Sequence, residues 1–245
     1  MRNRRIQAVI MVAAACICTA RIAGAQKPDA NVADIVSRVI EAYGGEKAMH
    51  ALHGYYASGN QWAAQRDEPM RAQRWFARPD RLRLDLDYPD HHEIRITDGD
   101  VGWLGSSPQD LAPAIPVKLL AMRLQTARLD LPLRLLEHQG EIEPRGTDPQ
   151  GRTVLRIPID ASLRIDYHVD PATWRITRVT TGMAQPPLEF VADYEQFHAV
   201  DGVLVPFREV TYAGGTLTAK FQLTEFVWNP KDLERNLDPA AGSGD

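Results

Sequence analysis

The stretch Arg81-Leu82-Arg83-Leu84-Asp85-Leu86-Asp87-Tyr88 alternates without a fault, with apolar residues at the even positions and charges at the odd ones. Successive side chains of a strand point to opposite faces, so this period of two predicts a strand with one greasy face and one wet face. The segments Glu93-Ile94-Arg95-Ile96-Thr97 and Val101-Gly102-Trp103 continue the pattern, separated by the turn formers Pro89-Asp90 and Asp98-Gly99-Asp100. A sheet that is greasy on one face and wet on the other is usually antiparallel.

Working outward, residues 55–62 and 70–77 add two earlier strands. Upstream of them the period is helical: Val32, Ile35, Val36, Val39, Ile40 and Tyr43 recur behind a capping Asn31, and Gly44-Gly45 ends the helix. Glu46 to Leu52 predicts a further short helical turn. Downstream, Pro116 to His138 is rich in Leu and poor in β-branched residues, which predicts one or two helices interrupted near Pro132. A loop over 144–151 follows. Strands resume at 153–159, 163–169, 174–180, 188–194, 203–212 and 217–228, joined by turns such as Asp170-Pro171-Ala172-Thr173 and Val200-Asp201-Gly202. About eleven strands with two helical segments predict an α+β fold. Its form is a large curved antiparallel sheet making an incomplete β-barrel, covered by helices on its apolar face.

The composition agrees with a globular domain: 245 residues, 44% hydrophobic and 24% charged, with two Cys, which excludes collagen-like, coiled-coil and disulfide-scaffold architectures. The N-terminus is unlike the rest. Basic Met1-Arg2-Asn3-Arg4-Arg5, an apolar run from Ile6 to Ala20 and Ala23-Gly24-Ala25 predict a secretory signal peptide over 1–25. The apolar run is short for a stable membrane span. Cys16 follows three alanines, but no Leu precedes them as a lipid-anchoring signal wants, so cleavage after Ala25 is the expectation. Cleavage removes Arg2, Arg4, Arg5 and Arg21 with no acid, leaving 24 bases against 32 acids, a net charge of −8. It also removes Cys16 and Cys18, so the mature chain has no thiol for a disulfide or a metal. An acidic chain with no basic tract is a poor partner for nucleic acid. The expected organisation is a signal peptide (1–25), one domain (26–230) and a disordered polar tail (231–245).

Motifs for chemistry are absent. Neighbours His91-His92 point apart if both lie on a strand, and His50 and His53 share a face only if one helix spans both. There is no G-x-S-x-G, Ser106-Ser107 sit in an ordinary loop, and Asp98, Asp100 and Asp110 belong to turn-like sequence. No catalytic residue, metal or cofactor is expected. Trp75, Trp103, Trp174, Phe190, Tyr194, Phe207 and Phe221 suit either a cavity lining or a plain core.

Three stretches together resemble the periplasmic superfamily of outer-membrane lipoprotein carriers. They are Ala33-Asp34-Ile35-Val36 through Ala42-Tyr43-Gly44-Gly45-Glu46-Lys47-Ala48; Arg78-Pro79-Asp80-Arg81-Leu82-Arg83 with Thr97 to Trp103; and Val169 to Thr173 through Tyr194 to Val200-Asp201-Gly202-Val203-Leu204-Val205-Pro206. The resemblance implies an unclosed barrel with a helical lid whose cavity holds acyl chains, and members include chaperones, lipid binders and a sensor domain. The chain departs from the carriers in its length and Leu-rich insertion, so no residue role is transferred. The function expected is a periplasmic, monomeric, non-enzymatic carrier of an acylated ligand, lipoprotein or lipid. The alternative is an interaction or sensor module with a filled core and an envelope protein partner, and a third reading is a hydrolase with an unrecognised site. Leu82, Leu84, Leu86, Ile94, Ile96 and Trp103 are the expected cavity liners, read as sharing one strand face.

Overall fold

The computed structural model describes residues 30–160, 163–183 and 188–239. The expected signal peptide, with Cys16 and Cys18, lies outside the described residues, as does the tail from 240. In chain order the elements are α1 (Ala30–Ala42), α2 (Glu46–His50), β1 (Gly54–Ala63), β2 (Met70–Ala77), β3 (Arg81–Asp87), β4 (His92–Asp98), β5 (Val101–Gly105) and β6 (Ala112–Pro113). Then come α3 (Pro116–Ala127), α4 (Leu131–Glu137), β7 (Glu143–Thr147), β8 (Thr153–Pro158), β9 (Leu163–Val169) and β10 (Ile176–Met183). The last elements are β11 (Leu188–Val200), β12 (Val203–Ala213), β13 (Thr216–Trp228) and α5 (Leu233–Leu237).

The strands form one antiparallel sheet of 13, in the order β6-β5-β4-β3-β2-β1-β13-β12-β11-β10-β9-β8-β7. Two meanders meet where the first strand pairs with the last, Tyr55 opposite Trp228 and Ala57 opposite Phe226. Asn229 pins this distant seam: its side-chain oxygen accepts from the amides of His53 (2.7 Å) and Gly54, and its amide donates to the Ala51 carbonyl. The sheet does not close into a barrel. It curves so far that α3 touches β4 and β5 near one edge and β10 near the other. Arg123 of α3 pairs across the same opening with Asp100 (3.1 Å) and Asp160 (3.5 Å).

The helix α1 lies on the inner face. Val32, Ile35, Val36, Val39, Ile40 and Tyr43 pack with Leu155, Ile157, Ile165, Tyr167 and Val179 in the largest buried cluster. Its Gly-Gly stop is a left-handed C-cap, Gly44 at φ +123° and Gly45 at φ +87°, with the Gly45 amide donating to the Ile40 carbonyl at 2.9 Å. A Cβ at Gly44 would stand 2.6 Å from the Gly202 carbonyl oxygen in the β11–β12 turn. Gly44→Ala is therefore expected to cost about 1–3 kcal/mol through strain at this docking point, read from urea denaturation. An unchanged midpoint would show that the helix end does not abut the turn.

Several expectations are corrected. The expected break near Pro132 is found at 128–130 between two helices, but Pro132 lies in the first turn of α4, where a missing amide proton costs nothing, and is not itself the interruption. Part of the loop over 144–151 belongs to β7, an edge strand. The tail is not disordered throughout, because α5 buries Leu233 and Leu237 against Ala77 and Trp75 on the outer face.

Candidate ligand-binding site

The helix-covered face of the sheet holds two cavities that share a wall. An apolar cavity of about 80 Å³ lies at the sheet centre, bordered by Tyr55, Phe76, Leu129, Leu133, Phe226 and Trp228. That is room for about three water molecules. A cleft of about 690 Å³ lies beside α3, bordered by Tyr88, Arg95, Leu104, Lys118, Met122 and Phe190. Its size falls within the range of ordinary ligand pockets, about 300–1,000 Å³. Arg74, Arg128, Glu209 and Phe221 border both spaces.

These shared residues are an ionic partition. Nη2 of Arg74 donates to Oε2 of Glu209 at 3.0 Å, and Nε and Nη2 of Arg128 donate to Oε1 at 3.1 and 2.7 Å. The three side chains are 8%, 9% and 7% exposed respectively. The Arg74 guanidinium also stacks over the Phe221 ring at 5.0 Å. Register explains the meeting: Tyr194, Glu209 and Phe221 stand opposite one another across β11, β12 and β13, and Arg74 reaches across from β2.

Burial alone would raise the Glu209 carboxyl, but the two guanidiniums outweigh it and pull it down from an ordinary 4.5 to about 2. A carboxyl lowered by folding stabilises the fold above its ordinary value, and that contribution fades as pH falls from 4.5 toward 2. The contribution is on the order of 3 kcal/mol. Glu209→Gln is therefore expected to flatten the acid limb of stability against pH, measured by urea unfolding. An acid limb as steep as that of the parent protein would refute it.

The segment from Arg128 to α4 is a strap over the inner face. Arg128 ties one end to Glu209, and Tyr194 donates its hydroxyl to the Arg128 carbonyl at 3.2 Å. Asp130 takes two hydrogen bonds from Arg78, just past β2, at 2.6 and 3.2 Å, and Arg78 also donates to Glu137 at 2.7 Å. Leu129 and Leu133 seal the apolar cavity beneath. Polar latches hold its outer side, while Leu133 and Leu135 of α4 join the buried cluster beneath α1.

The six expected liners divide. Leu82, Leu84 and Leu86 lie on the inner face, opposite Phe76, Arg74 and Ala72 of β2. Ile94 stands opposite Asp85, and Ile96 opposite Arg83 and Trp103, so Ile94, Ile96 and Trp103 lie on the outer face. The expectation of one shared face is overturned. The turn Pro89-Asp90 hides the change: the pairing sets Leu84 against Arg95, a register that alternation within each strand does not specify. None of the six borders the cavity or the cleft. Of the aromatic candidates, Phe190, Tyr194 and Phe221 border one space or both. Trp75 packs under α5 instead.

His91 lies in the turn before β4 rather than on it, so both His91 and His92 border the cleft. His91 stacks on Tyr88 at 4.3 Å and sits 2.8 Å from Asp90, and His92 pairs with Asp87. The α2 helix ends at His50 and leaves His53 outside it. No group of residues suited to a metal ion occurs among the described residues. Asp110 is an anion that organises its own loop, accepting from both Ser106 and Ser107.

The partition was missed, yet two of its members leave a trace in sequence. Met70, Ala72, Arg74 and Phe76 share a parity on β2, and Val203, Val205, Phe207 and Glu209 share one on β12. In each strand a charge occupies the apolar register. Arg128 leaves no such trace, since it follows a helix.

No family model and no curated protein matches the sequence. Among solved structures the chain is similar to a DUF1329 family protein from Desulfovibrio piger, with a TM-score of 0.57 and 9% identity, covering 86% of this chain and 98% of that one. It is also similar to a LolA superfamily protein from Nitrosomonas europaea, with a TM-score of 0.50 and 11% identity, covering 81% and 94%. The class defined by this fold is the open antiparallel sheet wrapped on helices. The chain shares this fold with these two solved structures, one of them a LolA superfamily protein, and it is the fold that the resemblance in the sequence implied.

Proposed function

We propose that the protein is a non-enzymatic, periplasmic carrier or binding protein that shields acyl chains of a lipoprotein or lipid. The observation that carries this reading is the strap, held by ion pairs above an apolar cavity on the inner face of an unclosed sheet. Burying a methylene group contributes roughly 0.8 kcal/mol, so one long chain supplies useful affinity even after ordering costs. In its present volume of about 80 Å³ the cavity does not hold such a chain, so uptake requires the strap to lift or the chain to use the adjoining cleft. The signal-peptide-like N-terminus is the basis for the periplasmic location. No helix among the described residues is long and apolar enough to cross a membrane. Outside, opposed pairs such as Arg156 with Asp166 and Arg178 with Asp193 keep the other face wet.

The small apolar cavity also favours a second reading, an envelope interaction module of the same fold with a filled core. Native mass spectrometry of protein purified from a periplasm separates the two. Co-purifying lipid, or uptake of an acylated peptide, supports the carrier. A clean mass with no uptake of acylated peptide or fatty acid favours the module.

Leu84→Glu refines the test. Leu84 is buried between Arg74 and Arg95 on the neighbouring strands, so the new carboxylate has counter-ions and the domain is expected to fold. Loss of retained lipid in the folded variant would place this wall in the ligand's path. Normal folding with unchanged lipid content would remove it.

A further inference from the structure

The partition holds two guanidiniums and one carboxylate, all nine-tenths buried, which leaves an excess positive charge inside the fold. Arginine does not discharge itself by losing a proton, so the excess persists at any physiological pH. A buried charge lacking a full counter-charge is costly, and an arriving anion relieves that cost. Nε of Arg74 is buried and has no hydrogen-bond partner among the described residues. A charge-assisted donor is thus unused within the partition, on a guanidinium that otherwise meets Glu209 and Tyr55.

The cleft repeats the bias. Arg74, Arg95, Lys118 and Arg128 border it against Glu93 and Glu209, four permanent cations to two carboxylates among the described residues. This occurs in a chain whose acids outnumber its bases, 32 to 28. Between the cations the walls are mixed, with apolar Met122, Phe190 and Phe221 among polar Gln61, Gln125 and Thr211. A cationic inner end, an apolar stretch of wall at Met122 and Phe221 and a volume of about 690 Å³ suit an amphiphile.

We propose that the cleft binds a single-chain amphiphile with an anionic head, a carboxylate or a phosphate, held at the inner end by Arg74 and Arg128 with its chain along Met122 and Phe221. This deepens the acyl-binding reading and rests on it. The head faces inward because the uncompensated charge is buried; a neutral head would leave it uncompensated. The planar guanidinium fork suits both oxyanions, so the chemistry of the head is shared by fatty acids and lysophospholipids.

Delipidated protein titrated with palmitate, palmitate methyl ester and palmitoyl lysophosphatidate, each displacing a fluorescent fatty acid, tests the assignment. Palmitate and lysophosphatidate are expected to bind at least about tenfold tighter than the ester, a difference of about 1.4 kcal/mol. The tighter of the two anions identifies the source of the head. Arg74→Met is expected to abolish the preference for the anion, so that palmitate binds no more tightly than its ester. Arg128→Met serves the same comparison if circular dichroism shows Arg74→Met unfolded. Equal affinity of ester and palmitate in the parent protein would overturn the anionic site and leave acyl binding standing. If neither anion nor ester binds, both readings fall.

Discussion

Glu209→Leu is expected to lower the melting temperature by about 10 °C, while replacing Arg74, Arg128 and Glu209 together with Met, Leu and Leu costs far less. The single change strands two buried guanidiniums that Glu209 bridges at 3.0 and 2.7 Å. Removing one partner of a buried ionic group costs about 3–5 kcal/mol, because the remaining charge stays desolvated and uncompensated. In a domain of this size each kcal/mol moves the melting temperature by about 2–4 °C. The triple replacement removes the desolvation cost along with the attraction, and such exchanges are often neutral or stabilising. Calorimetry of the two variants decides the matter. A single variant that melts within 2 °C of the parent would mean that water reaches the partition and screens it.

Val36→Asp is expected to abolish cooperative folding. Val36 is fully buried in the cluster between α1 and strands β8 to β12, whose members are all apolar or tyrosine. Among the described residues no cation belongs to that cluster to receive the carboxylate. The effective penalty for burying an unpaired ion is several kcal/mol, a large part of the 5–15 kcal/mol that holds a typical domain together. Leu84→Glu is the instructive contrast, since it adds the same charge to an equally buried position flanked by Arg74 and Arg95. Far-ultraviolet circular dichroism and urea titration compare the two variants. A Val36→Asp protein that unfolds cooperatively near the parent midpoint would show that α1 is not seated on the sheet as described.

Legibility in the sequence followed the range of the interactions. The alternation at 81–88 became β3 (Arg81–Asp87), the segment 163–169 became β9 (Leu163–Val169), and the helical period ending at Gly44-Gly45 became α1. In each case the period and the stop signal lie within the element itself. Elements without a pattern escaped: β6 and β7 are exposed along their whole length and carry no alternation, and α5 is a single short turn in a polar tail. The resemblance to the lipoprotein-carrier superfamily led to the correct fold, though the order of the strands and the pairing of β1 with β13 are written nowhere locally.

The stretch from Arg81 to Tyr88 shows where the division falls. Its alternation determined a strand with a greasy face at 82, 84 and 86, because the side-chain period of a strand is a property of its own backbone. Whether Ile94, Ile96 and Trp103 join that face depends on register across a turn, and the tertiary structure put them on the other side. The partition belongs wholly to the tertiary level. Arg74, Arg128 and Glu209 are separated by 54 to 135 positions in the chain and meet only because the sheet curls beneath the strap. Local pattern sets which way a side chain points, whereas a buried charge needs partners from distant strands, and only folding of the whole sheet brings them within reach.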